Sequence, residues 1–417
     1  MTTYTTTYRA KVWMLLPLIG VLGAGASEPA GAVTPWVTGD VFVGVGNGAY
    51  QVYDNQGVFK EAVSDGLGGF TVGCAFNPSL TRLYTTNFTN TAVVVYGDPS
   101  PHPISQAIGT GVISPDGHSE SIVFDAAGNF YVGHADGDRR LHKYDATGSL
   151  LMTFSPATET RGTDWNDLAA DQRTMFYTSV GGLIKRFDVG GNVQLPDFAS
   201  IGRRAFALRL LLPADGRGGL VVANAVDIKR LGGSGTVVQT YGVPGEGSWF
   251  TISLDPNGTS FWAGSTFSSN FYRFNLATGG IEVGPINTGT ATGTLLGLCV
   301  KGEITASLTP EAQLAGSQVV CGSRCNVPIT CNLPVVVGAP CANRVDLFVR
   351  QPPRRLIRFA FGVANVAPGQ TAPVRLKFTK RGKKIAQSGA KRLMGILEIR
   401  NVAGPAIGRT PVRIRLK

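Results

Sequence analysis

The chain has 417 residues, 55 of them glycine, and a formal net charge of +11. Apolar and polar residues alternate over short runs, and helical periodicity is nearly absent. After the N-terminal segment, no stretch is long and apolar enough to span a bilayer as a helix. These features exclude a helical bundle and a helical membrane protein.

The N-terminal segment predicts export. Arg9 and Lys11 precede an apolar run that ends at Leu22, and small residues suited to a cleavage site follow it. We therefore expect a signal peptide over residues 1–26 and a linker over residues 27–37. The alternative, an uncleaved membrane anchor, needs about 20 apolar residues, which is more than this run provides. A secreted protein, extracellular or periplasmic, is the favoured interpretation.

A short motif recurs along the chain at nearly constant spacing. Each copy has an apolar or aromatic residue at its centre, usually followed by Asp, Asn or Gly, and the six centres are Tyr53, Tyr96, Tyr144, Phe187, Leu231 and Phe274. Successive centres are 43 to 48 residues apart. A period of about 40–50 residues made of short strands is typical of a β-propeller. We therefore predict an all-β fold with a six-bladed propeller over residues 38–302.

Each module divides into four short strands joined by turns. In the module around Tyr144, an apolar run at residues 121–124 meets a turn at residues 125–129, and a second strand follows. A third strand leads to Tyr144, and the turn at residues 145–148 precedes the fourth strand. Asp, Asn and Gly suit these turns because they tolerate left-handed backbone angles.

The first module lacks an innermost strand of its own, because only a short stretch precedes it. The apolar run at residues 294–300 resembles an innermost strand but has no blade after it. We therefore predict that this run completes blade 1, so that the C-terminal strand of the propeller closes the ring. Closure removes the open sheet edges that a linear array would expose.

Six cysteines in an exported chain favour disulfides. Cys74 and Cys299 lie on predicted innermost strands of neighbouring blades. They either form a disulfide with each other or remain two buried free thiols, and the sequence leaves both alternatives open. The other four, Cys321, Cys325, Cys331 and Cys341, follow a spacing that is a poor zinc pattern. Disulfides within this cluster are the better interpretation.

The charge changes abruptly near residue 303. Residues 303–417 contain 19 Lys and Arg but 4 Asp and Glu, which gives +15, whereas residues 1–302 carry −4. Basic and apolar residues alternate in this part, as in residues 374–378 and 412–416. Strands of this kind have one core face and one positive face. The positive face either keeps the domain soluble or attracts an anionic surface polymer.

Two resemblances accompany these patterns. Residues 122–132 and 184–188 resemble NHL-type propeller repeats, and this resemblance extends over residues 38–302. It implies a propeller but no particular function, because such repeats serve binding, scaffold and enzymatic proteins. The stretch from Cys331 onward resembles a small Ig-like β-sandwich found at the C-termini of bacterial secreted proteins. We therefore expect residues 303–417 to form a basic Ig-like sandwich that includes the cysteine cluster.

A third resemblance implies an enzyme. Calcium-dependent lactonases similar to senescence marker protein 30 hold their metal with Glu, Asn and Asp from several innermost strands, and oxygen ligands suit calcium. In this chain Glu120 and Asn166 begin the third and fourth innermost strands, and Asp167 follows. The corresponding positions of blades 2 and 6 hold the apolar residues Val72 and Phe250. The resemblance therefore covers only part of that metal site.

The channel mouth is the predicted place for a ligand. Loops that enter the innermost strands share this face with the loops between second and third strands, and the blades hold both in place. The ligand-binding residues that the sequence places there are Glu120, Asp164, Trp165, Asn166, Asp167, Trp249, Asn224 and His134. Packing between blades is the alternative role for the two Trp, and hydrogen bonding to backbone is the alternative for the acids.

These observations favour a binding, adhesion or scaffold protein whose propeller recognises a glycan, a peptide or a protein. The chain has no His-Glu-x-x-His motif, nucleophile elbow or phosphate-binding loop, so no catalytic residue and no cofactor are assigned. The alternative is a calcium-dependent hydrolase with Glu120, Asn166 and Asp167 near the metal. Nucleic acid is not an expected partner, because no aromatic residues interleave with the C-terminal basic residues.

Overall fold

The computed structural model describes residues 35–98, 101–108, 118–212, 218–307, 312–331, 341–351, 355–367, 370–401 and 406–417. The predicted signal peptide and residues 27–34 of the predicted linker lie outside these residues. Within the described part of the chain, no helix is long and apolar enough to cross a membrane.

Six four-stranded antiparallel sheets, which we call blades 1 to 6, form the propeller. From the innermost to the outermost strand, they contain β24 (Gly297–Val300), β1 (Val41–Gly44), β2 (Ala49–Tyr53) and β3 (Phe59–Ser64) in blade 1; β4 (Thr71–Phe76), β5 (Arg82–Asn87), β6 (Ala92–Gly97) and β7 (Ile104–Ile108) in blade 2; β8 (Ser119–Phe124), β9 (Phe130–His134), β10 (Leu141–Tyr144) and β11 (Leu150–Phe154) in blade 3; β12 (Asn166–Leu168), β13 (Thr174–Tyr177), β14 (Leu183–Asp188) and β15 (Val193–Ser200) in blade 4; β16 (Ala205–Leu210), β17 (Leu220–Asn224), β18 (Ile228–Leu231) and β19 (Val237–Tyr241) in blade 5; and β20 (Trp249–Leu254), β21 (Ser260–Ser265), β22 (Asn270–Asn275) and β23 (Ile281–Asn287) in blade 6. The six-bladed arrangement predicted from the repeat is present.

The innermost strands form a ring. Strands β24, β4, β8, β12, β16 and β20 each contact the innermost strand of the next blade, and β20 contacts β24. Strand β24 pairs antiparallel with β1, with Cys299 opposite Phe42. Blade 1 is thus built from the two ends of the propeller sequence, and the six innermost strands enclose a central channel.

The repeated Asp and Gly residues build the turns within blades. In blade 3, Asp125 Oδ1 accepts hydrogen bonds from the backbone N–H groups of Ala127 and Asn129, both at 2.9 Å. Gly128 in the same turn has a φ of 86°, which suits glycine because a Cβ atom is strained there. The motif that reveals the repeat in the sequence is therefore the part of each blade that reverses the chain.

Close packing around the channel explains the glycines on two innermost strands. A Cβ atom on Gly73 of β4 would lie 2.4 Å from the carbonyl oxygen of Glu120 on β8. A Cβ atom on Gly297 of β24 would lie 2.0 Å from the carbonyl oxygen of Val72 on β4. Since such contacts are shorter than van der Waals distances, side chains at these positions would separate neighbouring blades.

The C-terminal part forms one sheet that closes on itself. Its elements are β25 (Ala312–Leu314), β26 (Gln318–Cys321), β27 (Cys325–Cys331), β28 (Cys341–Gln351), β29 (Arg355–Val366), β30 (Thr371–Phe378), α1 (Lys380–Ala386), β31 (Arg392–Asn401) and β32 (Ala406–Leu416). The order β27-β26-β32-β31-β28-β29-β30 returns to β27 through the β27–β30 pairing, and β25 also pairs with β27. The Ig-like resemblance predicts two stacked sheets, whereas the structure has one closed sheet. The Ig-like assignment is therefore not confirmed and stays a prediction.

All six cysteines form disulfides in the structure. Cys74 and Cys299 join the innermost strands of blades 2 and 1. The prediction of disulfides within the C-terminal cluster is confirmed, with bonds Cys321–Cys325 and Cys331–Cys341. The Cys74–Cys299 bond links residues 225 positions apart and holds the two ends of the ring together.

Candidate functional site

Two carboxyl groups lie buried where the innermost strands of blades 3 and 4 begin. Glu120 is the second residue of β8 and is 1 % exposed, and Asp164 precedes β12 and is fully buried. Burial and the neighbouring Asp164 raise the pKa of Glu120 well above its usual range. Burial also raises the pKa of Asp164 to about 7, although Arg161 opposes this effect. The two acids therefore hold protons more tightly than exposed carboxyls do.

These acids have oxygen atoms without hydrogen-bond partners. Glu120 Oε2 and both carboxylate oxygens of Asp164 have no partner among the described residues. Asn166, the first residue of β12, donates from Nδ2 to Ser121 Oγ at 2.7 Å, but its Oδ1 also lacks a partner. Buried oxygens without donors are costly, so this group suits a proton, a metal cation or a ligand cation.

A partly exposed rim surrounds the buried acids. Asp136 lies in the turn between β9 and β10 and accepts from Arg161 Nε at 3.1 Å and from His118 Nδ1 at 3.1 Å. Arg161 Nη1 lies 3.7 Å from Asp164 Oδ1, which connects the rim to the buried pair. The His118 ring stacks on Phe88 with centroids 4.3 Å apart. We call the rim and buried residues together, Phe88, His118, Glu120, Asp136, Arg161, Asp164 and Asn166, the channel mouth.

Asp167 belongs to a different group, farther along the channel. Its Oδ2 accepts from the backbone N–H of Leu210 at 2.8 Å, whereas its Oδ1 has no partner. Arg209 of β16 lies near it and forms an ion pair with Glu303, with 2.7 Å between Nε and Oε1. Burial raises the pKa of Asp167 to about 7, and Arg209 opposes this effect. The structure therefore places Asp167 with Leu210 and Arg209, apart from Glu120 and Asp164.

Both predicted tryptophans are covered. Trp165 is 1 % exposed, and the Arg209 guanidinium lies 5.6 Å from its ring. Trp249 is fully buried and packs edge-on against Tyr272 and Phe274, with centroid distances of 5.7 Å. Neither ring offers a face for a ligand to stack on, so the packing alternative describes their positions.

Two further candidates lie in local hydrogen-bond networks. Asn224 ends β17, and its Nδ2 donates to Asp227 Oδ1 at 2.6 Å while its Oδ1 accepts from the Val226 N–H at 2.9 Å. This amide therefore shapes the turn that follows β17. His134 ends β9 and donates from Nδ1 to Asp138 Oδ1 at 2.9 Å. Of the predicted set, the structure brings together Glu120 and Asp164, and Asn166 bonds to Ser121, the residue after Glu120.

Arg161 is a mouth residue that the sequence did not single out. It lies in the long loop between β11 and β12 and connects Asp136 with Asp164. The sequence signal was a basic residue three positions before an acid in a loop that enters an innermost strand. Arg209 was also missed, although a charged residue within the apolar run of β16 indicates a buried ion pair.

Chemically, the mouth can neutralise a positive charge. The carboxylates of Glu120, Asp164 and Asp136 lie near one guanidinium, Arg161. Oxygen atoms of two carboxyls and one amide also match the ligands that calcium takes in proteins. The rim residues His118, Asp136 and Arg161 are partly exposed, whereas the carboxyls of Glu120 and Asp164 are buried.

Comparison with known proteins identifies the fold and no more. No protein-family model matches the chain, and no curated protein matches its sequence. The fold matches 1127 chains of solved structures, too many to indicate one function. One of them comes from the crystal structure of the nidogen/laminin complex, with a TM-score of 0.50 and 13% identity, covering 63% of this chain and 98% of that chain. The chain therefore contains a β-propeller similar to the one in that complex.

Proposed function

We propose that the protein is an exported binding or scaffold protein that holds a cationic group of a protein ligand at the channel mouth. The observation that carries this proposal is the buried pair Glu120 and Asp164, whose carboxyl oxygens Oε2, Oδ1 and Oδ2 lack hydrogen-bond partners among the described residues. A ligand ammonium or guanidinium group would supply the missing donors, and its positive charge would favour the ionised form of acids that otherwise hold their protons. The rim around Arg161 and Asp136 would then contact the rest of the ligand.

A protein ligand fits this site better than a glycan. Sugar binding commonly uses exposed aromatic faces, but Trp165 and Trp249 are buried, and His118 covers one face of Phe88. The similar propeller chain was crystallised in a nidogen/laminin complex, so the fold is compatible with a protein partner. Acidic and hydrogen-bonding groups, rather than stacking surfaces, dominate the mouth.

The binding test uses a library of displayed peptides selected on the full-length protein. We expect selected peptides to contain Lys or Arg and to lose at least about tenfold in affinity for Glu120→Gln or Asp164→Asn, because charge-assisted hydrogen bonds disappear. Asp145→Asn, in another turn of blade 3, is the matched control and should bind normally. Peptides without basic residues, or equal binding to the variants, would contradict the proposal. Glycan-array binding that the same variants lose would assign the mouth to sugar instead.

Export is part of this proposal. Three disulfides are formed in the structure, and such bonds persist mainly in oxidising compartments. The N-terminal pattern around Arg9 and Leu22 predicts the signal peptide, and the NHL-type and Ig-like resemblances fit an exported protein. Mass spectrometry of the protein recovered from its natural host tests this step. An intact N-terminus and reduced cysteines would argue against export.

A calcium-dependent hydrolase is the second candidate, because Glu120, Asp164 and Asn166 all contribute oxygens without partners. Calcium takes six to eight oxygen ligands, so about half of the shell would come from water or substrate. Calcium titration by calorimetry, with and without EDTA treatment, separates the two candidates. Tight calcium binding that Glu120→Gln removes, together with lactone hydrolysis, would favour the enzyme. Unchanged melting temperatures with calcium and EDTA would remove its support.

The C-terminal sheet carries a second binding surface, which we propose contacts an anionic surface polymer. Arg392 and Arg415 lie opposite each other on β31 and β32, and Arg413 lies beside them. These three side chains are exposed and line a groove of about 410 Å³ with Gln318 and Met394. Like charges on opposite positions of a sheet are unfavourable, so a polyanion would stabilise this arrangement.

Heparin binding by the full-length protein at low salt tests this surface. The double variant Arg413→Gln/Arg415→Gln should weaken binding strongly, whereas the control Lys383→Gln/Lys384→Gln, on the exposed face of α1, should weaken it less. Binding should also fall as salt rises, because exposed charges are screened. Equal losses in the two double variants would indicate attraction by net charge without a defined groove.

A further inference from the structure

Two histidines and one aspartate converge in blade 3, outside the channel mouth. His134 ends β9, Asp138 lies in the β9–β10 turn, and His142 lies on β10. One ligand atom from each residue lies within 4.8 Å of the others. His134 Nδ1 is 2.9 Å from Asp138 Oδ1, and His142 Nε2 is 2.7 Å from Asp138 Oδ2. The two imidazole nitrogens thus flank one carboxylate.

From this geometry we infer that His134, Asp138 and His142 form a binding site for a divalent transition-metal ion such as Zn²⁺. Ligand atoms around tetrahedral zinc lie about 3–3.5 Å apart, because each bond is about 2.0–2.1 Å long. The observed contacts of 2.9 and 2.7 Å are hydrogen-bond distances to two different oxygens of Asp138, and the three ligand atoms lie within 4.8 Å of one another, so the side chains would adjust around a bound metal. Imidazole nitrogens favour zinc, copper or nickel over calcium, so this site differs in chemistry from the oxygen-rich mouth.

The surroundings prepare His142 to bind metal through Nε2. Its Nδ1 lies 3.0 Å from Thr153 Oγ1 on β11. When Nε2 binds metal, the neutral ring carries its proton on Nδ1. The Thr153 hydroxyl can accept a hydrogen bond from this Nδ1–H, because a hydroxyl both donates and accepts. Hydrogen bonding at the second ring nitrogen is a usual feature of metal-binding histidines, because it fixes the ring orientation and the tautomer.

His134 is held in place beside Asp138. The side chain is fully buried, and its Nδ1 lies 2.9 Å from Asp138 Oδ1. Its Nε2 has no hydrogen-bond partner among the described residues, so the polar network around this ring is incomplete. To bind a metal through Nδ1, the ring must carry its proton on Nε2, and the hydrogen bond from Nδ1 to Asp138 is then replaced by the metal–ligand bonds.

Solvent reaches the site at Asp138. Its side chain is 21% exposed, whereas those of His134 and His142 are at most 6% exposed. Three protein ligands leave at least one position of a tetrahedral shell for water or a ligand group, the arrangement found in open zinc sites. The same turn carries Asp136, which bonds Arg161 at the mouth, so a bound metal would also fix that part of the rim.

The backbone explains why this trio can form without a helix. The spacing is His-x3-Asp-x3-His, which on a helix would place all three residues on one face. Here the chain reverses between His134 and His142, and Asp138 Oδ1 accepts from the Arg140 N–H at 3.1 Å. His142 pairs with Val132 across the two strands, which puts His142 and His134 on the same face of the blade.

Titration with Co²⁺ and Zn²⁺ tests this inference on the full-length, tag-free protein. We expect one equivalent of Co²⁺ to produce the visible absorption of a low-coordinate nitrogen-containing site, and Zn²⁺ to displace it. Asp138→Asn should weaken binding by more than about tenfold, because it replaces a charged ligand with a weak one. Asn can still accept from Arg140, so the turn should remain folded. Asp145→Asn is the control and should bind normally.

Two further measurements make the result decisive. Thr153→Val removes the hydroxyl beside His142 and should weaken Co²⁺ binding about tenfold or more without removing any ligand. Glu120→Gln should leave Co²⁺ binding intact, which separates this site from the channel mouth. The inference is overturned if the wild-type protein shows no saturable binding near one equivalent. It is equally overturned if folded Asp138→Asn binds Co²⁺ as tightly as the wild type.

Discussion

Replacing Asp167 with Asn should stabilise the protein at neutral and alkaline pH. Asp167 is 1 % exposed, and burial raises its pKa from 3.8 to about 7. The folded state therefore binds this proton more tightly than the unfolded state does. The resulting stabilisation is complete below about pH 4 and is lost as the pH rises through about 7. Asn keeps the side chain neutral at every pH.

The magnitude follows from the shift in pKa. A difference of about 3 units, at about 1.4 kcal/mol per unit, corresponds to at most about 4 kcal/mol in the free energy of unfolding. Arg209 keeps its ion pair with Glu303, at 2.7 Å, so the substitution leaves no unpaired guanidinium. The Leu210 N–H also keeps an acceptor, because the Asn side-chain oxygen replaces Oδ2. Asp167→Asn should therefore melt several degrees above the wild type at about pH 8, and level with it at about pH 4.

Thermal melts of both proteins at several values between about pH 4 and pH 8 provide the measurement. Other titrating groups, such as Glu120 and Asp164, contribute equally to both proteins and cancel in the difference. Asp145→Asn serves as the control, since this residue lies in a turn where hydrogen bonds lower its pKa. Melting temperatures of wild type and Asp167→Asn that run parallel across this pH range would refute the reasoning.

Two substitutions test how the ring is held together. Serine at both Cys74 and Cys299 should lower the free energy of unfolding by about 5 kcal/mol in the chain-entropy model. Serine at both Cys321 and Cys325, which form the hairpin disulfide of β26 and β27, should lower it by about 2 kcal/mol, because the two bonds link residues 225 and 4 positions apart. Denaturant unfolding of the two variants compares these losses. Equal losses would contradict a role for loop length. Gly133→Ala should cost about 1–3 kcal/mol, because its Cβ would overpack the interface between blades 3 and 4. That Cβ would lie 2.6 Å from Asn166 Nδ2, whereas Gly242→Ala, with no atom within 4 Å, should leave the melting temperature unchanged.

The architecture of the propeller could be predicted from the sequence because the same strands and turns repeat in every blade. Each blade needs two Asp- or Gly-containing turns and a regular alternation in its strands, so a single motif such as Lys143-Tyr144-Asp145 marks a whole module. The pairing of β24 with β1 has no local signal of its own. It could be proposed only because the first module was one strand short and a spare apolar run followed the last module. The C-terminal strands lack a repeat, and their closed sheet was not predicted.

The candidate site was predicted less completely, because the position of a residue in the repeat does not show how deeply its side chain is buried or which residues it contacts. Glu120 and Asn166 begin equivalent strands, and the structure brings Glu120 near Asp164, whereas Asn166 bonds to Ser121. Asp167 is one residue beyond Asn166, but it bonds to Leu210 in the next blade. His134 was selected for its place at the end of β9, and its bond to Asp138 depends on how the following turn folds back.

The far end of the channel restricts how any ligand can reach the centre. The charge boundary at Glu303 marks the end of the repeat, yet Glu303 accepts from the Leu254 N–H of blade 6 at 2.7 Å, and Ser307 donates to the carbonyl oxygen of Phe124 of blade 3 at 2.7 Å. This segment thus crosses from one side of the ring to the other. With Asp167 it lines a cavity of about 30 Å³, which holds no more than one or two water molecules. Because this segment covers the far end, we expect a ligand to approach the buried acids from the rim around Arg161, so substitutions at the mouth, and not near Glu303, should change binding.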